Sequence, residues 1–555
     1  MKYFFDTKVF SSLAKVFPDG MPKDMQIDEV QLLKNERESF QVAYFAHYGR
    51  KSGQPNLKRI EIISDISDYI EVYRVGNIYS NFPIYEDNDH DCVKTTAGVF
   101  PDLLTPCGEL PRTIYDSWQT FWFEIDPQNK VEAGVYDVTV RFVSEKDTVL
   151  GEETIKAEII DDVLPEQELI STHWFHSDCL AVWYRTDVFS DEYWRIVENF
   201  VKTYVKYGQN LILTPLFTPP LDTEIGSERP TVQLVDVEKN GDEYKFSFAN
   251  FEKWVDMCLR NGIKYFEMSH LFTQWGAAHA PKIMATVDGE YKRIFGWETD
   301  SAGEEYASFL RAFAPAIIAE IDKLGIREKC YFHVSDEPTK ENIETYAPAS
   351  KIVHELFGEF PIIDALSHFE FYEKGVVTLP IPITSSTDDF KGKVPQLWTY
   401  FCCGPYVDYA NRFFALPSRR TRIIGLQMYK YDIKGFLHWG YNFYFSRLSK
   451  VQPINPFQVS DAIDEFPSGD AYVVYPGFDG TPQVSLRFKV FYDAYQDMRA
   501  CKLLESYIGR DAVIELIEEN LDGELKFSTN PSYENWLLEV RKKINENIKK
   551  FQKKC

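Results

Sequence analysis

The segment YFHVSDEP sets Asp336 and Glu337 side by side at the end of an apolar run. Adjacent carboxylates repel and each resists losing water, so a strand end that carries both either leaves them solvated in a loop or uses them. Their company favours use. His173, His270, His333, His368 and His438 lie within or just after short apolar runs, as do Trp174, Trp275, Trp398 and Trp439. One strand-end histidine is ordinarily a satisfied core residue, but five converging on one rim are harder to explain that way. Aromatic rings around paired acids and polar tips describe a sugar site, with rings stacked on the pyranose and tips holding hydroxyls. The chemistry would be glycoside hydrolysis.

The elements that must position these residues change character along the chain. Residues 1–165 read as a β-sandwich. In GVYDVTVRFV, Tyr136, Val138, Val140 and Phe142 alternate with Asp137, Thr139 and Arg141, and ESFQVAYFA, YIEVYRV and QTFWFEI repeat such short runs between turn residues. The polar stretch DDVLPEQE makes the boundary. Over 166–460, short apolar runs alternate with helical stretches. ISTHWF, NLILT, KYFEMS, CYFHVS, PIIDA, PIPIT, QLWTY and GFLHW make eight strands, which predicts a (β/α)8 TIM-like barrel with its chemistry where strands end. The clearest helix runs from Asp191 to Tyr207, with Ser190 as N-cap and Gly208 as stop. SSTDDFKGK leaves the sixth unit little room for a helix. Residues 461–555 read as a C-terminal extension packing on the barrel: the strand DAYVVYPG, the helix SLRFKVFYDAYQDMRACKLLES, and an amphipathic tail helix from Asn530 to Lys550.

Glycosidases usually hold two carboxyls on opposite sides of the scissile bond. In the commonest retaining barrels these come from the fourth and seventh strands. Here the seventh run, QLWTYFCC, ends without an acid, and the first one after it is Asp408. That points to neighbouring acids dividing the work. Glu337 protonates the leaving oxygen while Asp336 orients a nucleophile that belongs to the substrate. A 2-acetamido group suits this role: its carbonyl oxygen attacks C1 to give an oxazolinium ion, whose nitrogen a nearby carboxylate stabilises. A glycosidase for a sugar without the acetamido group would need a second carboxylate, such as Asp178, Glu267 or Asp364. A carbohydrate-binding protein without turnover would keep only the aromatic pocket.

HVSDEP, HLFTQWGA, LWTYFCCGP, GFLHWGYN and GDAYVVYPG followed by SLRFKVFYDAYQDMR resemble glycoside hydrolase family 123 and the related domain of unknown function 4091. NERESFQVAYF, FPDLLTP and QTFWFEIDPQNKVEAGVYDVTV are similar to that family's N-terminal β-sandwich, so the resemblance spans nearly the whole chain. It implies a retaining exo-β-N-acetylgalactosaminidase using the substrate's acetamido group, with Asp336 as acetamido stabiliser and Glu337 as acid, then base. Trp398 and Tyr400 fall to the sugar pocket, and His270, Trp275, His333 and Trp439 to its walls by their position at strand ends. His173, His176 and Asp178 in HWFHSD either bind hydroxyls or form a hydrogen-bonded first strand. No His and carboxylate pair has a recognised ligand spacing, so neither metal nor cofactor is expected.

The charge balance limits the partners. Lys+Arg 60 against Asp+Glu 85 gives a net charge of -25, which disfavours nucleic acid and acidic membrane surfaces and leaves an oligosaccharide or glycoconjugate. No run of about 18 apolar residues suggests membrane insertion. Nine cysteines without a CxxC, and an N-terminus whose apolar stretch is broken by Asp6 and Lys8, lead to the expectation of a cytoplasmic enzyme.

Overall fold

The computed structural model describes residues 5–22, 25–48, 56–108, 110, 112–301, 303–531, 533 and 535–552. The chain is multidomain, sheet-rich at its N-terminus and helical at its C-terminus. Period-two patterning over the first part yields two sheets. Five strands run in the order Phe5–Ser11, Glu38–Ala46, Trp118–Ile125, Ile70–Ser80 and Gly98–Pro106, and four in the order Glu29–Leu33, Val149–Ile160, Gly134–Ser144 and Leu57–Ile63. In Gly134–Ser144, Val138, Val140 and Phe142 point into an apolar core shared with Phe40, Val42, Phe121 and Phe123, while Asp137 is exposed.

The eight apolar runs of the middle region all become strands: Ile170–His173, Leu211–Thr214, Tyr265–Met268, Cys330–Tyr331, Ile363–Ala365, Leu379–Ile381, Trp398–Tyr400 and Gly435–His438. They pair in parallel through five ladders within three sheets. Single parallel bridges join Phe332 to Ile362 and Ile383 to Tyr400, and the Asn210 N–H donates to the Ser171 carbonyl at 3.1 Å. The fourth strand is shorter than its sequence predicts because a side chain replaces its ladder partner. Asp364 Oδ1 accepts the backbone N–H groups of Val334 and Ser335 at 3.1 and 3.3 Å.

The helix Asp191–Lys206 starts as expected, with the Ser190 hydroxyl accepting the Tyr193 N–H and Trp194, Val197, Val201 and Tyr204 buried along one stripe. After the sixth strand the chain forms a 3-10 turn, Thr384–Ser386, and the four-residue helix Thr387–Phe390. A four-stranded sheet, Glu243–Ser247, Asp236–Asn240, Ile283–Val287 and Glu290–Phe295, was not foreseen. One of its hairpins turns on Asp288 and Gly289, both at positive φ, which is the Asp-Gly signature of a tight hairpin.

The helix Leu486–Ile508 is buried on nearly every side, so it shows no single apolar stripe. Arg487 makes a two-pronged contact with Asp102 at 2.8 and 3.0 Å, and Lys489 donates to Glu124 at 2.7 Å. The tail helix Trp536–Phe551 brings Arg541 to Asp497 (2.8 Å) and Glu36 (2.6 Å), tying both chain ends to that long helix. Tyr73, Phe100 and Trp122 of the five-stranded sheet share one apolar core with the middle region and the C-terminal helices. Among the described residues, no helix is long and apolar enough to cross a membrane.

Candidate active site

A cavity of about 250 Å³ is lined by Asp336 and Glu337 together with Trp174, Asp222, Gln274, Trp275, Tyr400, Cys402, Cys403, Trp439, Arg447 and Phe466. The two acids are fixed through their backbone. The Asp336 carbonyl accepts the Trp275 N–H at 2.8 Å, and the Glu337 N–H donates to the Ala365 carbonyl at 3.1 Å. Glu337 takes a positive φ of 41°, a conformation costing roughly 1–3 kcal/mol unless its surroundings impose it. The bonds to loops on either side impose it here, and they aim both carboxyls into one space. The Tyr400 hydroxyl donates to Glu337 Oε1 at 2.6 Å.

Beneath the acids lies a second layer of charge. His333 Nε2 is 2.6 Å from Glu267 Oε1, and its Nδ1 is 3.2 Å from Asp364 Oδ1, all three residues fully buried. The Trp174 indole N–H donates to the same Glu267 oxygen at 2.7 Å, and the Tyr346 hydroxyl donates to Asp364. Burial alone would lower the imidazole pKa, but hydrogen bonds and charge from the two carboxylates overcome it and raise His333 to about 9. It is therefore an imidazolium at neutral pH. His270 stacks on it with ring centroids 4.1 Å apart, and burial beside that cation drives His270 well below the ordinary range, keeping it neutral.

Both acids in the cavity are pushed upward. Loss of water is the larger cause for Asp336, followed by the charge of Glu337, with His333 opposing. Loss of water raises Glu337, while the Tyr400 hydroxyl, which favours its anion, opposes. Two groups this close share their protons.

The structure gathers only part of the expected site. Asp336, Glu337, Trp275, Tyr400 and Trp439 line the cavity, with Trp275 exposed at the rim. His270 and His333 lie under it, as supports for the wall. Trp398 does not line it; the ring lies so close to Gly435 that a Cβ there would fall 2.0 Å from it, and this packing makes Trp398 core. His173, His176 and Asp178 also lie outside the lining. Asp178 receives both prongs of the Arg229 guanidinium at 2.8 Å, His176 Nδ1 and Nε2 face Arg229 and the Trp439 carbonyl, and His173 packs against Phe491 and His438. Of the three, His173 ends the first strand, while His176 and Asp178 stand at the start of the helix Ser177–Tyr184. Asp222, Gln274, Arg447 and Phe466 were missed because loops supply them without periodic signal, whereas Trp174, one of the strand-end aromatics, lines the cavity as well.

His270, His333 and Asp364 place possible metal-ligand atoms within 4.8 Å of one another, a grouping invisible in their spacing. Both ring nitrogens of His333 already face carboxylates, so the cluster reads as a charge-paired imidazolium. The competing second carboxylates are likewise engaged: Glu267 and Asp364 by His333, Asp178 by Arg229.

Residues 174–504, more than half of the chain, match the catalytic domain of glycoside hydrolase 123. The chain belongs to glycoside hydrolase family 123. It is thus a glycoside hydrolase, with a glycan as substrate. Among solved structures it is similar to a family 123 glycoside hydrolase from Clostridium perfringens, at TM-score 0.76 and 13% identity, covering 99% of each chain. At that identity the likeness speaks for the fold. A GH10 xylanase from termite gut (TM-score 0.32, 9% identity, 85% of this chain and 100% of that one) and a β-glucuronidase from Parabacteroides merdae (0.28, 10%, 85% and 51%) are far more distant. No curated protein matches. The cavity holding Asp336 and Glu337 falls within the matched family 123 domain.

Proposed function

We propose that this family 123 chain is a retaining exo-glycosidase that removes terminal β-linked N-acetylgalactosamine with the substrate's own acetamido group as nucleophile. The observation that carries the reading is the pair itself: two adjacent carboxyls facing one cavity, one of them tied to a tyrosine hydroxyl. Glu337 protonates the glycosidic oxygen and later draws a proton from the attacking water. Asp336 accepts the acetamido N–H and steadies the charge as the carbonyl oxygen closes on C1.

The shared proton gives substrate binding a further task. Both acids are raised by burial, and the charge of Glu337 adds to the rise at Asp336. An acetamido N–H donated to Asp336 favours its anion, so the proton passes to Glu337, where the reaction needs it. A sugar lacking that group leaves the proton misplaced. Trp439 and Trp275 offer ring faces for the pyranose.

The parallel strands, joined in series by ladders, two bridges and the Asn210–Ser171 hydrogen bond, support reading residues 166–460 as a (β/α)8 barrel. The two N-terminal sheets around one core support a β-sandwich over 1–165. The Clostridium perfringens enzyme is described as hydrolysing glycolipid glycans, and a glycoconjugate end is the substrate we place here. Asp222 favours one second reading, because it lines the same cavity and its carboxyl is raised to about 6 by burial. In that reading Asp222 supplies a second carboxylate and the acetamido group is dispensable.

Variants separate the two. Glu337→Gln should lose most activity toward substrates with poor leaving groups and less toward activated aryl N-acetylgalactosaminides, because only the former need protonation. Asp336→Asn should be impaired on both by about 100-fold or more, as for loss of a pre-organised charge, while Asp222→Asn retains the ability to form the intermediate. Loss of that ability in Asp222→Asn, with Asp336→Asn little changed, would transfer the role to Asp222.

A further inference from the structure

Cys402 and Cys403 follow the seventh strand directly, and both half-buried side chains line the same cavity as Glu337, Tyr400 and Trp439. Their sulfurs lie 3.8 Å apart. The backbone around them is fixed, since the Cys402 N–H donates to the Gly404 carbonyl at 2.9 Å and the Asn411 amide donates to the carbonyls of Cys402 and Pro405 at 3.0 and 2.9 Å. A direct disulfide fits this pair poorly. Adjacent Cα atoms sit about 3.8 Å apart across a trans peptide, short of the roughly 4.4–6.8 Å that an S–S bond spans. One atom inserted between the sulfurs enlarges the ring and removes that misfit. Two thiols facing one way at contact distance therefore suit a soft electrophile that takes two sulfurs at once.

We infer that Cys402 and Cys403 form a bidentate site for trivalent arsenicals at the wall of the sugar cavity, and that its occupation closes the cavity to substrate. The step balances without an oxidant. Two S–H bonds and the arsenic–oxygen bonds of an organoarsenic oxide break, two arsenic–sulfur bonds form, and the two thiol protons leave with the oxygen as water. Arsenic stays trivalent. Selectivity follows from geometry: Cys179, Cys258, Cys330 and Cys501 are buried, Cys92 and Cys107 are half-buried, and among the described residues Cys402 and Cys403 are the cysteines whose sulfurs are in contact. The arsenic-bound group would project beside Glu337 and Tyr400, where the sugar ring must enter.

Phenylarsine oxide is the probe, applied to the full-length chain, with intact mass and aryl N-acetylgalactosaminide hydrolysis read on the same samples. The wild type should gain the mass of one phenylarsenic unit bridging two sulfurs and lose activity in proportion. 2,3-Dimercaptopropanol should reverse both, and 2-mercaptoethanol at equal thiol concentration should not. Cys402→Ser and Cys403→Ser should each fail to hold the adduct, and whatever activity each retains should become insensitive to the reagent. Cys92→Ser should behave as wild type toward it. An adduct that survives in both serine variants, a wild type that takes none, or a modified wild type that still turns over at its full rate each overturns the inference. The mass reading needs no turnover, so failure of the proposed substrate class would leave it standing.

Discussion

At the residue scale, the proposed catalysis turns on where one proton sits. The Tyr400 hydroxyl stabilises the anion of Glu337, and removing it takes away the one interaction that offsets the desolvation. Tyr400→Phe should therefore raise the Glu337 pKa further. The alkaline limb of kcat/KM, which falls as Glu337 loses its proton, should move up by about one unit, a single hydrogen bond to a charged group being worth about 1.5–3 kcal/mol at most. kcat/KM at neutral pH should drop about tenfold, because the acid is also less well aimed. A pH–rate profile on one aryl N-acetylgalactosaminide decides this, and an unmoved limb contradicts it. Asp336, Glu337, Tyr400, Trp275 and Trp439, cavity residues legible in the sequence, share one trait, standing at or beyond the end of an apolar run. Position near a strand end misled at Trp398, which opens the strand that Tyr400 closes: the two share a face, and Trp398 packs deeper in the core against Gly435. At His173 the ring turns toward Phe491 and His438, and sequence position does not say which face of a strand end meets the cavity.

At the scale of elements, the fourth strand is cut short so that its end can be held by side chains from neighbouring strands. Glu267 from the third and Asp364 from the fifth clamp His333, and Asp364 also takes the two backbone N–H groups that a longer ladder would have used. The clamp has a pH signature. A pKa of about 9 in the folded chain, against roughly 6.5 unfolded, means that the imidazolium stabilises the fold fully below about pH 6.5, with the gain lost as pH rises through about 9. The loss amounts to roughly 3 kcal/mol at most. Urea unfolding at pH 6.5 and pH 9 should show a larger fall for wild type than for His333→Gln, and parallel falls would remove His333 from this role. The eight strands were legible because their runs are short, apolar and punctuated. The clamp was not, because Glu267, His333 and Asp364 are far apart in sequence and meet only when three strands align. The inserted hairpins carried their own signal, the Asp288–Gly289 turn, but their strands are largely polar and lacked the buried runs by which the others were recognised.

At the scale of the whole molecule, the N-terminal sheets and the C-terminal helices form one body with the catalytic region. The loop carrying Cys402 and Cys403 shows how. Asp89 of the N-terminal region accepts the Asp408 N–H at 2.7 Å and the Arg420 guanidinium at 2.8 Å, and the Tyr406 hydroxyl donates to Asp87 at 2.6 Å. Arg541 performs the same service at the other end of the chain. Its replacement by Met leaves Glu36 buried without its cation, while Asp497 keeps Arg422 at 2.7 Å, and the uncompensated charge should lower unfolding stability by about 3 kcal/mol. kcat/KM of the folded protein should change little. Urea midpoints together with kinetics at a permissive temperature check this, and a variant of unchanged stability would contradict it. The proposed reaction rests on one step, in which the substrate brings its own nucleophile to Asp336 and Glu337. The most direct measurement is kcat/KM across aryl β-N-acetylgalactosaminides whose acetyl group carries none, one, two or three fluorines, each fluorine weakening the carbonyl oxygen as a nucleophile. Participation by the acetamido group predicts a steep, regular fall along the series, with the plain aryl galactoside hardly cleaved; a flat series, or a galactoside cleaved as fast as the acetamido sugar, would contradict it.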